Sequence, residues 1–166
     1  MNAESGLLLR EPVPGDIGWV IHRHGILYTR EYGWNINFEA LIAEVAARFM
    51  RERDPERERC WIAELNGRRV GSIFLMRGEG DDARLRLLYV EPDARGHGVG
   101  RRLVNECVTT AREAGYETLT LWTTNVLAAA RHLYEEAGFT LQSEESFDTF
   151  GPRLVGQYWQ LPLRSE

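Results

Sequence analysis

The stretch Arg95-Gly96-His97-Gly98-Val99-Gly100-Arg101-Arg102 places three glycines at alternate positions and follows them with two arginines. Before it, Leu87-Leu88-Tyr89-Val90 reads as a buried strand that stops at Glu91-Pro92-Asp93. After it, Leu103, Val104, Cys107, Val108 and Ala111 recur at helical spacing. A strand that turns through glycines into a helix leaves backbone N–H groups without acceptors at the positive end of the helix dipole. That arrangement binds anions, phosphate above all. Two familiar phosphate loops are excluded. The P-loop requires a lysine before Ser or Thr, and this chain contains no lysine. The dinucleotide fingerprint G-x-G-x-x-G requires a third glycine where Arg101 or Leu103 stands.

The elements that must position this loop follow from hydrophobic period and turn chemistry. Leu7 to Arg10 predicts a short strand closed by Pro12 and Pro14, and Asp16 is the expected N-cap of a helix carrying Ile17, Trp19, Val20 and Ile21. Gly25 should interrupt that helix, which resumes through Ile26, Leu27 and Tyr28 and stops at Gly33. A second helix is predicted from about Asn37 to Arg53 on Phe38, Leu41, Ile42, Val45, Ala46 and Phe49. Cys60 to Leu65 and Val70 to Met76 read as strands joined by an Asn66-Gly67 hairpin, and Leu85 to Val90 as the next strand. A helix over 98–114 with Gly115 as its C-cap, a strand Thr118 to Thr123 and a helix from about Leu127 to Ala137 follow. Strands Phe139 to Gln142 and Leu154 to Leu161 close the chain. The order is β-α-α-β-β-β-α-β-α-β-β: an α/β fold with a central, mostly antiparallel mixed sheet flanked by helices, one domain over residues 1–166.

The loop, with its strand and helix, resembles the Q/R-x-x-G-x-G/A segment of the GNAT superfamily of N-acetyltransferases, which cradles the pyrophosphate of coenzyme A. Leu133-Tyr134-Glu135-Glu136-Ala137-Gly138-Phe139 resembles that superfamily's L-Y-E-x-x-G-F, in the expected order and separation. The resemblance implies the GNAT fold and acetyl-CoA as cosubstrate. It assigns the pyrophosphate to the loop Arg95, Gly96, His97, Gly98, Val99 and Gly100, with Arg101 or Arg102 near the outer phosphates. It assigns the pantetheine arm to the strand Leu88, Tyr89 and Val90, where one N–H would also polarise the thioester carbonyl. Tyr134 takes the place beside the thioester sulfur. Two departures stand out. Where many relatives have an asparagine seven residues before the tyrosine, this chain has Leu127, and the nearest asparagine is Asn125. The strand Arg84-Leu85-Arg86-Leu87 carries no glutamate to act as a base. Stretches such as Gly18-Trp19-Val20-Ile21-His22-Arg23-His24-Gly25 and Arg59-Cys60-Trp61-Ile62-Ala63-Glu64 further resemble the acetyltransferase domains fused behind MarR-type winged-helix regulators. No winged helix precedes them here, so no DNA-binding role is expected.

The acid–base requirements set the remaining candidates. An alkylamine has a pKa near about 10.4, so holding it neutral at pH 7 costs roughly 4 to 5 kcal/mol. A thiol near about 8.5 is a weaker base than a tyrosinate near about 10, so Tyr134 should act as a hydrogen-bond donor to the departing sulfur rather than as a full acid. Base candidates are His22, His24 and Glu31, on segments that face the acceptor in the family. His24 reads equally as a core histidine, and Glu31 as one half of a surface charge pair. Tyr28, Tyr32 and Trp34 either line a pocket or pack in the core.

Composition narrows the class. All 20 basic residues are arginine and the net charge is −5, which argues against general nucleic-acid binding and mildly for a cationic acceptor such as an amine. There is no apolar run long enough for a membrane span and no signal-peptide pattern, so a cytoplasmic protein is expected. Cys60 and Cys107 read as reduced core residues, and no histidine spacing suggests a metal. The expected activity is acetyl transfer from acetyl-CoA to a primary amine of a small molecule or peptide. A non-catalytic acyl-CoA sensor and an O-acetyltransferase are the alternatives. A homodimer formed through the C-terminal strand is expected to be possible.

Overall fold

The structure is a computed structural model and describes residues 6–164. Seven strands, β1 (Leu7–Arg10), β2 (Arg59–Leu65), β3 (Arg68–Arg77), β4 (Asp82–Val90), β5 (Thr118–Thr124), β6 (Thr140–Phe147) and β7 (Leu154–Pro162), form one sheet. Its spatial order is β1-β2-β3-β4-β5-β7-β6. Every neighbour pair is antiparallel except β4 and β5. Helices α1 (Asp16–Tyr32) and α2 (Ile36–Glu52) cover one face, burying Ile17, Val20, Val45 and Phe49 against Phe74 and Met76. Helices α3 (Val99–Glu113) and α4 (Ala128–Ala137) belong to the other face, where Leu103, Val104 and Cys107 pack with Ile73, Leu75 and Leu85. This is the α/β architecture that the element order predicts.

Several local expectations are corrected. α1 runs unbroken through Gly25, where a Cβ would stand 2.6 Å from the exposed Glu39 carboxylate of α2. Asp16 is the first residue of α1 rather than its cap, which is Gly15. Its buried carboxylate accepts from the Val13 N–H at 2.7 Å, from Arg10 at 2.6 Å and from Arg69 at 3.2 Å, tying β1, α1 and β3 together. Asn35 caps α2, its side chain accepting from the Asn37 N–H. The C-cap of α3 is Ala114, with Gly115 one residue beyond at φ +87°. β6 runs on to Phe147 through Ser143, Glu144 and Glu145, polar residues held by their ladder with β7 rather than by burial. The dimer route through the C-terminal strand is corrected too, since β7 is paired on both sides and the edge at that end of the sheet is β6. Two glutamates on that edge discourage pairing with another strand.

One irregularity matters most. Ser72 pairs with Tyr89 and Phe74 with Arg86, so β4 carries an extra residue, and Leu87 takes φ +51°. The Ser72 hydroxyl donates to the Leu87 carbonyl at 2.9 Å and pins this bulge. β4 meets β5 only at Asp82–Arg84, opposite Thr118–Thr120, and beyond that the strands part. The result is a cleft within the sheet itself. Among the described residues no helix is long and apolar enough to cross a membrane.

Candidate active site

The cleft joins two cavities. A groove of about 460 Å³ on the loop side is lined by Leu88 and Val90 of β4, the loop residues Arg95, Gly96 and Gly98, and the start of α3. A cavity of about 690 Å³ lies beneath α1 and α2, between β4 and β5. Tyr28, Leu88, Leu127 and Ala130 line both, so these four residues mark the passage.

The loop has the backbone an anion requires. Gly96 and Gly98 sit at φ +85° and +77°, conformations that L side chains rarely adopt. The first bond closing α3 runs from the Arg102 N–H to the Gly98 carbonyl at 3.0 Å, so the N–H groups from Gly98 to Arg101 have no acceptor within the helix. No acidic residue occupies the first turn of α3, so its positive end is uncompensated from within the helix. Gly100 has another purpose. A Cβ there would stand 2.7 Å from Leu133 Cδ1, so its absence lets α3 and α4 close together.

The candidate residues do not all gather here. Leu88, Val90, Arg95, Gly96, Gly98, Val99, Gly100 and Arg101 line the groove, although the Val99 side chain is in the core. The Arg95 guanidinium is paired with Glu31 at 3.0 Å and that of Arg101 with Glu136 at 2.9 Å. His97 and Arg102 are exposed and outside the lining. The Tyr89 ring turns to the opposite face against His24, with its hydroxyl bonded to Glu91, so only its backbone stays with the cleft. Asn125 is a correction. Its side-chain oxygen accepts from the Val155 N–H at 3.0 Å and its carbonyl from Arg131, which ties the end of β5 to β7 and leaves it out of the groove.

Tyr134 projects from α4 into the larger cavity, 5 % exposed, with no hydrogen bond to its hydroxyl among the described residues. Burial, with smaller effects from Tyr28 and Cys107, pushes its pKa well above the ordinary tyrosine value, so it is a neutral donor. His24 is in the core: Nδ1 bonds the Val20 carbonyl at 2.8 Å, and the ring packs on Tyr28, Phe38 and Tyr89. Burial lowers its pKa to about 4, the Val20 bond offsetting part of the shift. A group that weakly basic is a poor acceptor for an ammonium proton, which corrects its candidacy as the base. Glu31 lines the groove rather than the larger cavity, held by Arg95. Exposed His22 lines neither cavity. Tyr28 and Trp34 both pack against Phe38 and line the larger cavity, so pocket and core are the same place. Among the described residues, no group of three or more His, Cys, Asp or Glu could hold a metal ion.

Sequence reasoning missed Arg86, Trp122 and the aromatic Phe147 and Phe150, which complete the larger cavity. Two arginines alternating with leucines, Arg84 and Arg86, were the available signal for the first.

The acetyltransferase (GNAT) family model matches residues 26–139, which contain the loop, the cleft and Tyr134. The chain belongs to the GNAT acetyltransferase family. It is 32% identical over 99 residues to the N-acetylaspartate synthetase of Danio rerio, covering 59% of this chain and 34% of that protein. It is 30% identical over 100 residues to N-acetyltransferase 8B of Homo sapiens, covering 57% of this chain and 44% of that one. The chain thus spans less than half the length of these curated relatives. A Salmonella typhimurium protein solved with its cofactor acetyl-CoA superposes with a TM-score of 0.74 at 22% identity, covering 98% of this chain and 96% of that one. This GNAT chain therefore shares its fold across nearly its whole length with that protein.

Proposed function

We propose that this GNAT protein transfers an acetyl group from acetyl-CoA to a primary amine, and that it does so as a single domain in the cytoplasm. The observation carrying this reading is the passage at Tyr28, Leu88, Leu127 and Ala130, which joins an anion-binding groove to a separate cavity with Tyr134 on its wall. The unpaired N–H groups from Gly98 to Arg101 suit a pyrophosphate, and the solved relative with acetyl-CoA supports that ligand. Arg95 and Arg101 are near enough to add charge, Glu31 and Glu136 acting as positioning residues that hold their guanidinium groups. Beyond Arg84 the backbone of β4 has no β5 partner, so N–H groups there are free to hydrogen-bond an acyl carbonyl and the oxyanion that develops from it. Tyr134 then donates to the departing sulfur.

Among the described residues, the carboxylates lining the cavity are those of Glu79 and Asp82. Both lie with Arg84, toward the start of β4 and away from the passage. The amine therefore reacts as its neutral fraction, its proton leaving to solvent before attack. Within the family, the resemblance of the stretches Gly18 to Gly25 and Arg59 to Glu64 supports a kinship with the domains fused to MarR-type regulators.

The test is thiol release from acetyl-CoA across a panel of amines, comparing the wild type with Tyr134→Phe. Amine-dependent release that falls in the variant supports transfer. Tight acetyl-CoA binding without turnover on any amine would replace this reading with a sensor, and turnover on alcohols alone with an O-acetyltransferase.

A further inference from the structure

Arg86 sits on β4 with its side chain on the face shared by Phe74, where it lines the larger cavity. It is half-buried, and among the described residues no carboxylate comes within ion-pair distance of it. A guanidinium taken partly out of water is normally matched by an acid. Here its charged neighbours are Arg84 and Arg48, both of the same sign, and Arg48 is already paired with Glu52 at 3.3 Å. Burial and these two cations together lower the pKa of Arg86. Arg84 is also without an ion-pair partner among the described residues, although Glu79 and Asp82 share that end of the cavity. The protein's net charge of −5 is therefore no guide to this wall.

Two further polar atoms on the cavity residues are buried and unpartnered: the indole Nε1 of Trp34 and the hydroxyl of Thr124. Native proteins rarely leave such groups unsatisfied. Phe38, Trp122 and Phe150 supply a large apolar and aromatic part of the lining, beside Asn37 and the hydroxyls of Thr120, Thr123 and Thr149. A volume of about 690 Å³ fits a small molecule rather than a folded partner. Arg86 precedes Leu88, at the passage, by two residues across the bulge, which limits their backbone separation to at most roughly 7 Å. An amine at the passage and an anion at Arg86 are thus separated by a short acceptor.

We infer that the acceptor is a small amino acid with an apolar or aromatic side chain, its carboxylate held by Arg86 while its amine faces the passage. This rests on the acetyl-transfer reading above for the amine, but not for the carboxylate.

The experiment compares phenylalanine with phenethylamine, which keeps the ring and the amine and lacks the carboxylate, in wild type, Arg86→Gln and Arg86→Lys. The readout is the ratio of the two kcat/KM values, so each amine's own basicity cancels between proteins. The wild type should favour phenylalanine at least tenfold. Arg86→Gln should cut that ratio by about tenfold to hundredfold, the value of a charge-assisted hydrogen bond. Arg86→Lys, which keeps the charge and loses the planar fork, should fall between. Equal ratios in wild type and Arg86→Gln would overturn the inference, as would a wild-type preference for phenethylamine. Should Arg86→Gln not fold, the wild-type preference and Arg86→Lys decide alone. Binding of 3-phenylpropanoate and of its neutral amide, measured by calorimetry in the same proteins, separates the two readings. Carboxylate-selective binding lost in the variants, with no amine acetylated, would keep the Arg86 site and end the transferase reading. Acetylation of both amines with equal binding of acid and amide would do the reverse.

Discussion

Lowering the pH from 7 to 5 should cost this protein stability through one residue, and the size of the effect follows from its surroundings. His24 is fully enclosed, its Nδ1 on the Val20 carbonyl and its ring among Tyr28, Phe38 and Tyr89. Its pKa is lowered to about 4 in the folded protein, against about 6.5 in an unfolded chain. As pH falls, the unfolded chain takes up the proton first, so the stabilisation is complete above about 6.5 and is lost progressively as pH falls toward 4. The full loss is about 3 kcal/mol, of which about 2 kcal/mol falls between pH 7 and pH 5. Urea unfolding at pH 7, 6 and 5, for wild type and His24→Gln, measures it. The variant is less stable at every pH because its packing is poorer, but its stability should depend less on pH by about 2 kcal/mol over that interval. The same pH dependence in both proteins would refute the buried neutral histidine, and would reopen His24 as a group able to take a proton from the acceptor.

Three other outcomes are expected. Tyr134→Phe should lower kcat about tenfold to hundredfold with little change in acetyl-CoA affinity or thermal stability, since its hydroxyl bonds nothing else described; kinetics and a melting curve check this. The kcat/KM for an amine should climb about tenfold per pH unit from 6.5 toward the amine's own pKa, because the neutral fraction reacts; a plateau near pH 7 would instead reveal an enzyme base. Gly98→Ala should destabilise the protein by about 1 kcal/mol and weaken acetyl-CoA binding, since Gly98 takes φ +77° at the head of α3; denaturant melts and titration calorimetry separate the two effects.

The loop, its strand and its helix were legible because their signals are local: alternating glycines, a turn at Pro92 and a helical apolar stripe from Leu103 to Ala111. The Asn66-Gly67 hairpin was legible for the same reason, both residues taking positive φ. What the sequence hid depends on distant partners. Gly25 read as a break, and only the approach of Glu39 from α2 shows it to be a contact. β6 was cut short at Gln142 because an edge strand buries nothing that would set a period. Asn125 followed a motif, whereas its bonds to Val155 and Arg131 belong to the end of the sheet. Arg86 was noticed only for the glutamate it was not, because its meaning depends on the acids that fail to reach it. His24 needed its neighbours before its two readings could be separated.

The parting of β4 from β5 also constrains the kinetics. The linings of the groove and the cavity share only the four residues of the passage. Under the proposed acetyl transfer, each reactant has its own compartment, and neither must depart before the other arrives. Storing the acyl group on the protein between visits would need a nucleophile at the crossing. The thiols of Cys60 and Cys107 are both buried in the core and pushed up in pKa, and neither lines the passage. Double-reciprocal plots for the two substrates should therefore intersect rather than run parallel, the signature of direct hand-over in a three-body complex.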